Sequence, residues 1–340
     1  MRGSTPVTAV APGRVNLIGD HTDYMGGLVL PMAVDLTTTL TGTRGGDTIE
    51  LSSAQFPEPL RLRLPVTDPA ATTPRWGRYV AGVAAELGTS VGLIGTVSSS
   101  VPVGGGLSSS AALEVATALA LGATGTPVEI AELCRRAETA ATGVPCGIMD
   151  QLCSAAGVAG HALLIDCATL EFTAVPVPDE ARIWVVDSGQ PRELAGSAYA
   201  ARRAECEAAA AIVGPLPSAS MAAIDALEHP VLRARARHVR TECDRVRAFA
   251  AALHAGDLPR AGELMVASHR SLRDDFEVST PVLDDLVEEL CARPGVHGAR
   301  LTGAGFGGCV VVLADPSGRP GGREVRAAAG ARLLEGPPAQ

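Results

Sequence analysis

A chain of 340 residues is long enough for two domains with well-buried cores. Its formal net charge of −9 at pH 7 excludes the concentrated positive field that a nucleic acid or an anionic membrane surface requires, so a small metabolite is the expected partner. Hydrophobic residues make up 46% of the chain and aromatic ones only 3%, so the core must be assembled mainly from Ala, Val and Leu.

In chain order, residues 7–11 read as an apolar strand, residues 20–27 as a polar loop and residues 28–34 as a second strand. Turn residues with little periodicity mark residues 42–47 and 65–74. A helix is expected from Trp76 to about Leu87, stopping at Gly88. Thr126-Pro127-Val128-Glu129 combines an N-cap, a proline at the first helical position and a capping-box glutamate, so another helix starts there. Ile130, Leu133, Cys134 and Ala137 then fall on one stripe, and Glu138 continues it. A carboxylate on an apolar stripe is costly unless it is paired, protonated or bound to a cation, so Glu138 is either a candidate ligand or an edge residue reaching solvent.

An apolar strand at residues 182–186 leads into the turn Asp187-Ser188-Gly189, and a domain boundary is expected near Asp179, separating residues 1–178 from 179–340. Helices are expected at residues 198–213, 231–253 and 259–273. In the second of these, Leu232, Ala236, Val239, Cys243, Val246, Ala250 and Leu253 keep three- and four-residue steps, which is a core stripe. Its arginines, Arg233, Arg235, Arg237, Arg240, Arg245 and Arg247, are expected on a solvated surface. A glycine-rich turn at residues 303–308 precedes a strand at 309–313, and the Pro-, Gly- and Ala-rich chain from Pro316 onward is expected to be loosely ordered.

The strongest chemical signal is Val103-Gly104-Gly105-Gly106-Leu107-Ser108-Ser109-Ser110, followed at once by an Ala/Leu-rich helix. Glycines let the backbone wrap an anion, and the amides and dipole of the helix start attract phosphate without a basic side chain. The chain contains no lysine, which excludes both a Walker-type loop and a lysine Schiff base. Its eight cysteines lack CxxC pairs, and its seven histidines lack metal-binding spacing. The N-terminus has no secretory pattern, and no apolar run approaches the roughly 20 residues of a membrane span. A soluble cytoplasmic protein fits these observations, and a monomer or a weak dimer is expected.

Three segments together carry a specific resemblance: residues 11–24 (Ala-Pro-Gly-Arg-Val-Asn-Leu-Ile-Gly-Asp-His-Thr-Asp-Tyr), the glycine-serine loop, and residues 298–309 (Gly-Ala-Arg-Leu-Thr-Gly-Ala-Gly-Phe-Gly-Gly-Cys). In order and spacing the chain resembles the GHMP small-molecule kinases, and its first segment is similar to the signature of the galactokinase branch. Cys146-Gly147-Ile148-Met149-Asp150-Gln151, Tyr199 with Arg202-Arg203, and residues 268–275 extend the likeness over residues 7–313.

The resemblance implies an α+β, two-domain GHMP kinase fold. Its N-terminal domain would be like domain 2 of ribosomal protein S5, its C-terminal domain ferredoxin-like, and the active site would lie between them. It implies ATP-dependent phosphorylation of the C1 hydroxyl of D-galactose, with ATP as co-substrate and Mg²⁺ as cofactor. By the same resemblance Arg14 and Asp150 would be catalytic, Asp150 as the base and Arg14 at the transferring phosphoryl group. Asp20, His21, Thr22, Asp23, Gly147 and Tyr199 would bind sugar, Gly104 to Ser110 would hold the ATP phosphates, and Ser110 and Glu138 would ligate the metal. Phosphoryl transfer depends on positioning and charge neutralisation, which suits these residue types.

Two positions depart from the branch. Galactokinases usually carry Glu where this chain has Asp20, and Asn where it has Met25. Losing one methylene withdraws the carboxylate by roughly 1.5 Å, more than a hydrogen bond tolerates without backbone adjustment. Another sugar or a cyclitol is therefore the alternative acceptor, and a non-catalytic galactose sensor a minor one.

Overall fold

A computed structural model of the chain describes residues 5–191 and 195–334, with the side chains of residues 195–197 outside that description. The first half runs β1 (Thr5–Asn16), β2 (Leu28–Val29), β3 (Pro31–Arg44), β4 (Thr48–Ser53), β5 (Phe56–Arg63), α1 (Gly77–Leu87), β6 (Leu93–Ser99), α2 (Ser109–Leu121), α3 (Pro127–Thr142), α4 (Met149–Ala156), β7 (His161–Asp166) and β8 (Phe172–Pro176). The second runs β9 (Arg182–Asp187), α5 (Ala195–Val213), α6 (Met221–Asp225), α7 (Pro230–Ala255), α8 (Leu258–Asp274), α9 (Pro281–Cys291), β10 (Val296–Thr302), β11 (Cys309–Ala314), β12 (Arg323–Val325) and β13 (Arg332–Leu334).

Local signals explain several boundaries. Gly88 sits at φ 60° and ends α1. Thr126 and Glu129 form the reciprocal capping box that opens α3. On α3, Ile130, Cys134 and Ala137 are buried, while Leu133 is partly so. Helix α2 buries most of its length, including Glu114, because it lies between the large sheet and the neighbouring helices.

The large sheet has the order β13-β1-β3-β6-β4-β5, with β4 parallel to β6 and the other pairs antiparallel. The hairpin β4–β5 falls in a stretch whose sequence signals were weak. Ile49, Leu51 and Leu60 are its buried contribution to the core, an alternation too short to stand out in the sequence. A second sheet, β10-β11-β9-β12, is antiparallel throughout and packs on α8 and α9. Helix α8 meets β10 at glycine: a Cβ on Gly262 would stand 2.1 Å from the His297 carbonyl oxygen. A small third sheet joins β2, β7 and β8.

Two expectations are corrected. The chain beyond Pro316 is not loose over its described part. β12 pairs with β9, and β13 returns to pair with β1, so the last described strand completes the sheet of the first half. Residues 335–340 lie outside the described residues. The second correction concerns Arg235, which is 2% exposed. Its guanidinium bonds Glu205 on α5 (2.6 Å), Glu277 (2.5 Å) and the Asp275 carbonyl (2.5 Å). Helical periodicity put Arg235 off the α7 stripe, but α5 and the end of α8 cover that face with carboxylates and a carbonyl, so the charge is compensated inside the fold.

Candidate active site

One cavity of about 710 Å³ runs from the aromatic residues Phe56, Trp76 and Tyr79, past the glycine-serine loop, to the polar loop that follows β1. At its centre α2 begins. Ser108 stands at the N-cap with φ 54°, and no side chain caps the helix start, so the first-turn amides keep their capacity for an anion. Gly104, Gly106, Ser108, Ser109 and Ser110 line the cavity. Gly105 and Leu107 act from behind the wall. The Gly105 carbonyl accepts the Cys309 thiol at 2.9 Å, and the carbonyl of Leu107, whose side chain is buried, accepts the Arg14 amide at 3.1 Å.

Arg14 comes from β1, and Asp150 from the first turn of α4. They join through two parallel bonds, Nε to Oδ1 at 2.8 Å and Nη2 to Oδ2 at 2.7 Å. Nη1 of Arg14 donates to the Gly106 carbonyl at 2.6 Å, which ties the pair to the phosphate loop. The Ser108 hydroxyl also donates to Asp150 Oδ2. Ser108, expected as a nucleotide residue, lines the cavity, and its side chain also connects the loop to the carboxylate.

Glu138 lies on the same wall, and its carboxylate is hydrogen-bonded by Ser110, by the Cys146 thiol at 3.4 Å and by Gln151 Nε2 at 2.5 Å. Burial, and next the charge of Asp150, push its pKa up. A buried carboxylate beside a serine hydroxyl is a pair of hard oxygen donors, a set that fits a magnesium ion whose remaining positions are filled by water and phosphate. The described residues contain no cluster of three or more His, Cys, Asp or Glu able to hold a metal alone.

The polar loop divides its expected sugar residues into those facing the cavity and those holding the loop. Asp23 faces inward, and burial, followed by the nearby Asp150, raises its pKa to about 7. Gly147 makes room for it: a Cβ there would lie 1.7 Å from Asp23 Oδ2. Tyr199 on α5 covers this end, its ring 5.6 Å from His21 and 5.3 Å from Tyr24 between centroids.

Asp20 reaches the cavity wall, but its carboxylate is engaged from behind. Oδ1 accepts the Gly303 amide at 2.9 Å, and Oδ2 lies 2.6 Å from Arg300 Nη2, a close ion pair without hydrogen-bond alignment. Both side chains are buried. His21 likewise lines the wall with both ring nitrogens occupied. Burial lowers its pKa to about 4, so the ring is neutral, and its partners assign Nε2–H to the Ala304 carbonyl (3.2 Å) and Nδ1 as acceptor from Tyr24 (3.1 Å). Thr22 is fully buried, with its hydroxyl 2.9 Å from the Gly19 carbonyl and 2.7 Å from that of Leu28. It shapes the loop and does not line the cavity.

Family comparison covers most of the chain. Residues 2–44 match the galactokinase galactose-binding signature, residues 78–158 the GHMP kinase N-terminal domain, and residues 249–328 the GHMP kinase C-terminal domain. The galactokinase of Homo sapiens is 47% identical over 341 residues, covering 94% of this chain and 86% of its own. The chain belongs to the galactokinase family. A further family member, the galactokinase of Chloroflexus aurantiacus, is 45% identical over 90% of this chain and 83% of its own. Among solved structures, Lactococcus lactis galactokinase complexed with galactose superposes with a TM-score of 0.89 at 31% identity, over 97% of this chain and 95% of that one. Methanococcus jannaschii mevalonate kinase, 22% identical with a TM-score of 0.68 over 94% and 93% of the two chains, shares the fold. The GHMP kinase fold expected from the sequence is therefore the fold of this family member.

Sequence reasoning missed the far end of the cavity. Phe56 and Trp76 stack there with centroids 5.8 Å apart and planes 13° from parallel. They come from β5 and the start of α1, twenty positions apart with no shared motif. It also missed Arg300, which lies inside the third signature, where an arginine between Ala299 and Leu301 was the available signal.

Proposed function

We propose that the protein is a galactokinase that transfers the γ-phosphoryl group of ATP to the C1 hydroxyl of D-galactose, giving α-D-galactose 1-phosphate and ADP. The observation that carries this reading is the junction of Arg14, Asp150 and Ser108 between the phosphate loop and the polar loop, within one cavity large enough for both substrates. Sugar would occupy the end lined by Asp23 and Tyr199, and the phosphates of ATP the loop from Gly104 to Ser110. In the reaction the C1 oxygen bonds to the γ-phosphorus while the bond to the bridging oxygen of ADP breaks, and the hydroxyl proton passes to Asp150. Asp150 supplies an acceptor oxygen whose direction is set by Arg14, and Arg14 in turn supplies charge beside the phosphate loop.

Ser110 and Glu138 would hold magnesium. When bound, that ion would neutralise phosphate charge and fix the phosphate geometry. The requirement for ATP, together with eight cysteines that are all free thiols in the structure, supports a cytoplasmic setting.

The second reading, a kinase of another sugar or of a cyclitol, is favoured by Asp20, whose shortened carboxylate is already engaged by Arg300 and Gly303. The test is ADP release by the purified protein with ATP, Mg²⁺ and separately galactose, glucose, N-acetylgalactosamine, arabinose and a cyclitol, with ³¹P NMR locating the phosphate. Galactose-dependent ADP with phosphate on C1 is the expected result. Turnover restricted to another acceptor overturns the galactose reading, and silence with all of them leaves an acceptor outside this panel or the sensor alternative.

A further inference from the structure

The backbone at the mouth of the sugar end is gripped by a buried charge that neither phosphate nor sugar chemistry uses. Glu242, on α7, is fully buried. Its Oε1 accepts the Gly19 amide at 3.0 Å and the Ser268 hydroxyl of α8 at 2.5 Å, and its Oε2 accepts Arg245 Nε at 2.6 Å. One helical turn earlier, His238 is within 3.1 Å of the Asp20 carbonyl through Nε2 and within 2.9 Å of the Ser271 hydroxyl through Nδ1. Gly19 stands at φ 101°, and a Cβ there would lie 2.7 Å from the Leu28 carbonyl oxygen and 2.9 Å from Val246, so this peptide is confined sterically as well.

A buried ion pair is a weak device for stability, since desolvation offsets most of the attraction. It is a strong one for geometry when each oxygen has a fixed donor. Here burial pushes the Glu242 carboxyl up, but Arg245, His238, Arg300 and the Ser268 hydroxyl together outweigh it and lower its pKa to about 2. The carboxylate is thus charged at neutral pH, with donors arriving from two helices and from the loop itself. The loop leaves β1 and must present Asp23 to the cavity four residues after Gly19. A small rotation at Gly19 would carry Asp23 off Gly147, where the fit admits no Cβ.

We propose that Glu242 is a positioning residue for acceptor binding: from outside the cavity, it fixes the Gly19 peptide and thereby the orientation of the loop that presents Asp23. The assignment of that loop to the acceptor rests on the function proposed above. The positional claim itself rests on the hydrogen bonds.

Glu242→Gln tests it. The amide keeps the size of the side chain, but it places Nε2–H against either Arg245 or the Gly19 and Ser268 donors. Two readouts are needed: amide deuterium uptake over residues 17–23, and separate KM values for galactose and ATP. The expected result is faster uptake in that segment and a galactose KM raised about tenfold, with the ATP KM within about twofold. Ser268→Ala, which removes one neighbouring donor and keeps the Gly19 bond, should move both readouts in the same direction by less. It decides the question alone if the Gln variant does not fold. Unchanged uptake over residues 17–23, or equal shifts of both KM values alongside a lowered Tm, would overturn the proposal. Absence of galactose turnover in the unsubstituted protein would count against the proposed function, and the uptake comparison would still judge Glu242.

Discussion

Arg14 and Asp150 face each other fork to fork, and both oxygens of the carboxylate are taken up by one guanidinium whose third nitrogen donates to the Gly106 carbonyl. The carboxylate is thereby aimed before any substrate arrives. Asp150→Ala should reduce turnover by on the order of 10² to 10⁴, the range of a lost general base. ATP affinity, measured by calorimetry, should persist. Arg14→Lys keeps the charge and loses the fork, so it should also lower kcat by about tenfold or more. Substantial turnover by Asp150→Ala would remove that residue from the reaction.

Gly147 is required by its neighbour. With a Cβ 1.7 Å from Asp23 Oδ2, Gly147→Ala must displace the carboxylate. The galactose KM should rise by roughly tenfold or more with little change in ATP KM, since a displaced contact is lost for sugar alone. Steady-state kinetics with each substrate varied in turn would show the split.

Asp23 makes ligand-free stability depend on pH. Its folded pKa of about 7 lies above the ordinary carboxyl value of 3.8, so the folded state binds the proton more tightly than the unfolded chain. The associated stability is present below pH 3.8 and is lost as pH rises through about 7. Asp23→Asn removes this term, so the variant should gain Tm relative to the parent at pH 8 compared with pH 5. Thermal melts at the two pH values would read the difference, and parallel curves would show that the Asp23 carboxyl is not the source.

Phe56 and Trp76 form a stacked pair at the end of the cavity opposite Asp23 and Tyr199. If a nucleotide base lies against them, Trp76→Ala should weaken ATP binding by about 1–3 kcal/mol, the usual scale of base–aromatic stacking, with the galactose KM unaffected. Competition calorimetry with ADP would measure it.

Arg235 carries structural weight at a distance from the chemistry. Arg235→Ala leaves Glu205 and Glu277 with Arg202 alone and loosens the attachment of α5, which brings Tyr199 to the site. The loss is expected to fall below the about 3–5 kcal/mol of breaking a fully buried pair from one side, because both carboxylates keep Arg202 and Glu277 is largely exposed. Denaturant unfolding would test it.

The sequence alone made the family, the glycine-serine loop, the candidacy of Arg14, Asp150 and Glu138 and most helix boundaries legible. Each rests on residues close in the chain: a capping box at Thr126 and Glu129, a glycine run ahead of a helix, a stripe with Glu138 on its line. Such signals are local because caps, turns and helical faces are satisfied within a few residues. Tertiary structure alone decided which expected sugar residues face the cavity. Asp23 lines it, Asp20 and His21 line it while held by Arg300, 280 positions later, and by Ala304, and Thr22 is turned into its own loop. It also decided that Arg235 is buried, that β13 returns to β1, and that Phe56 meets Trp76. The physical reason is common to all of these. The cost of burying a polar group is set by partners that the fold brings from distant parts of the chain, and neither periodicity nor spacing records who those partners are.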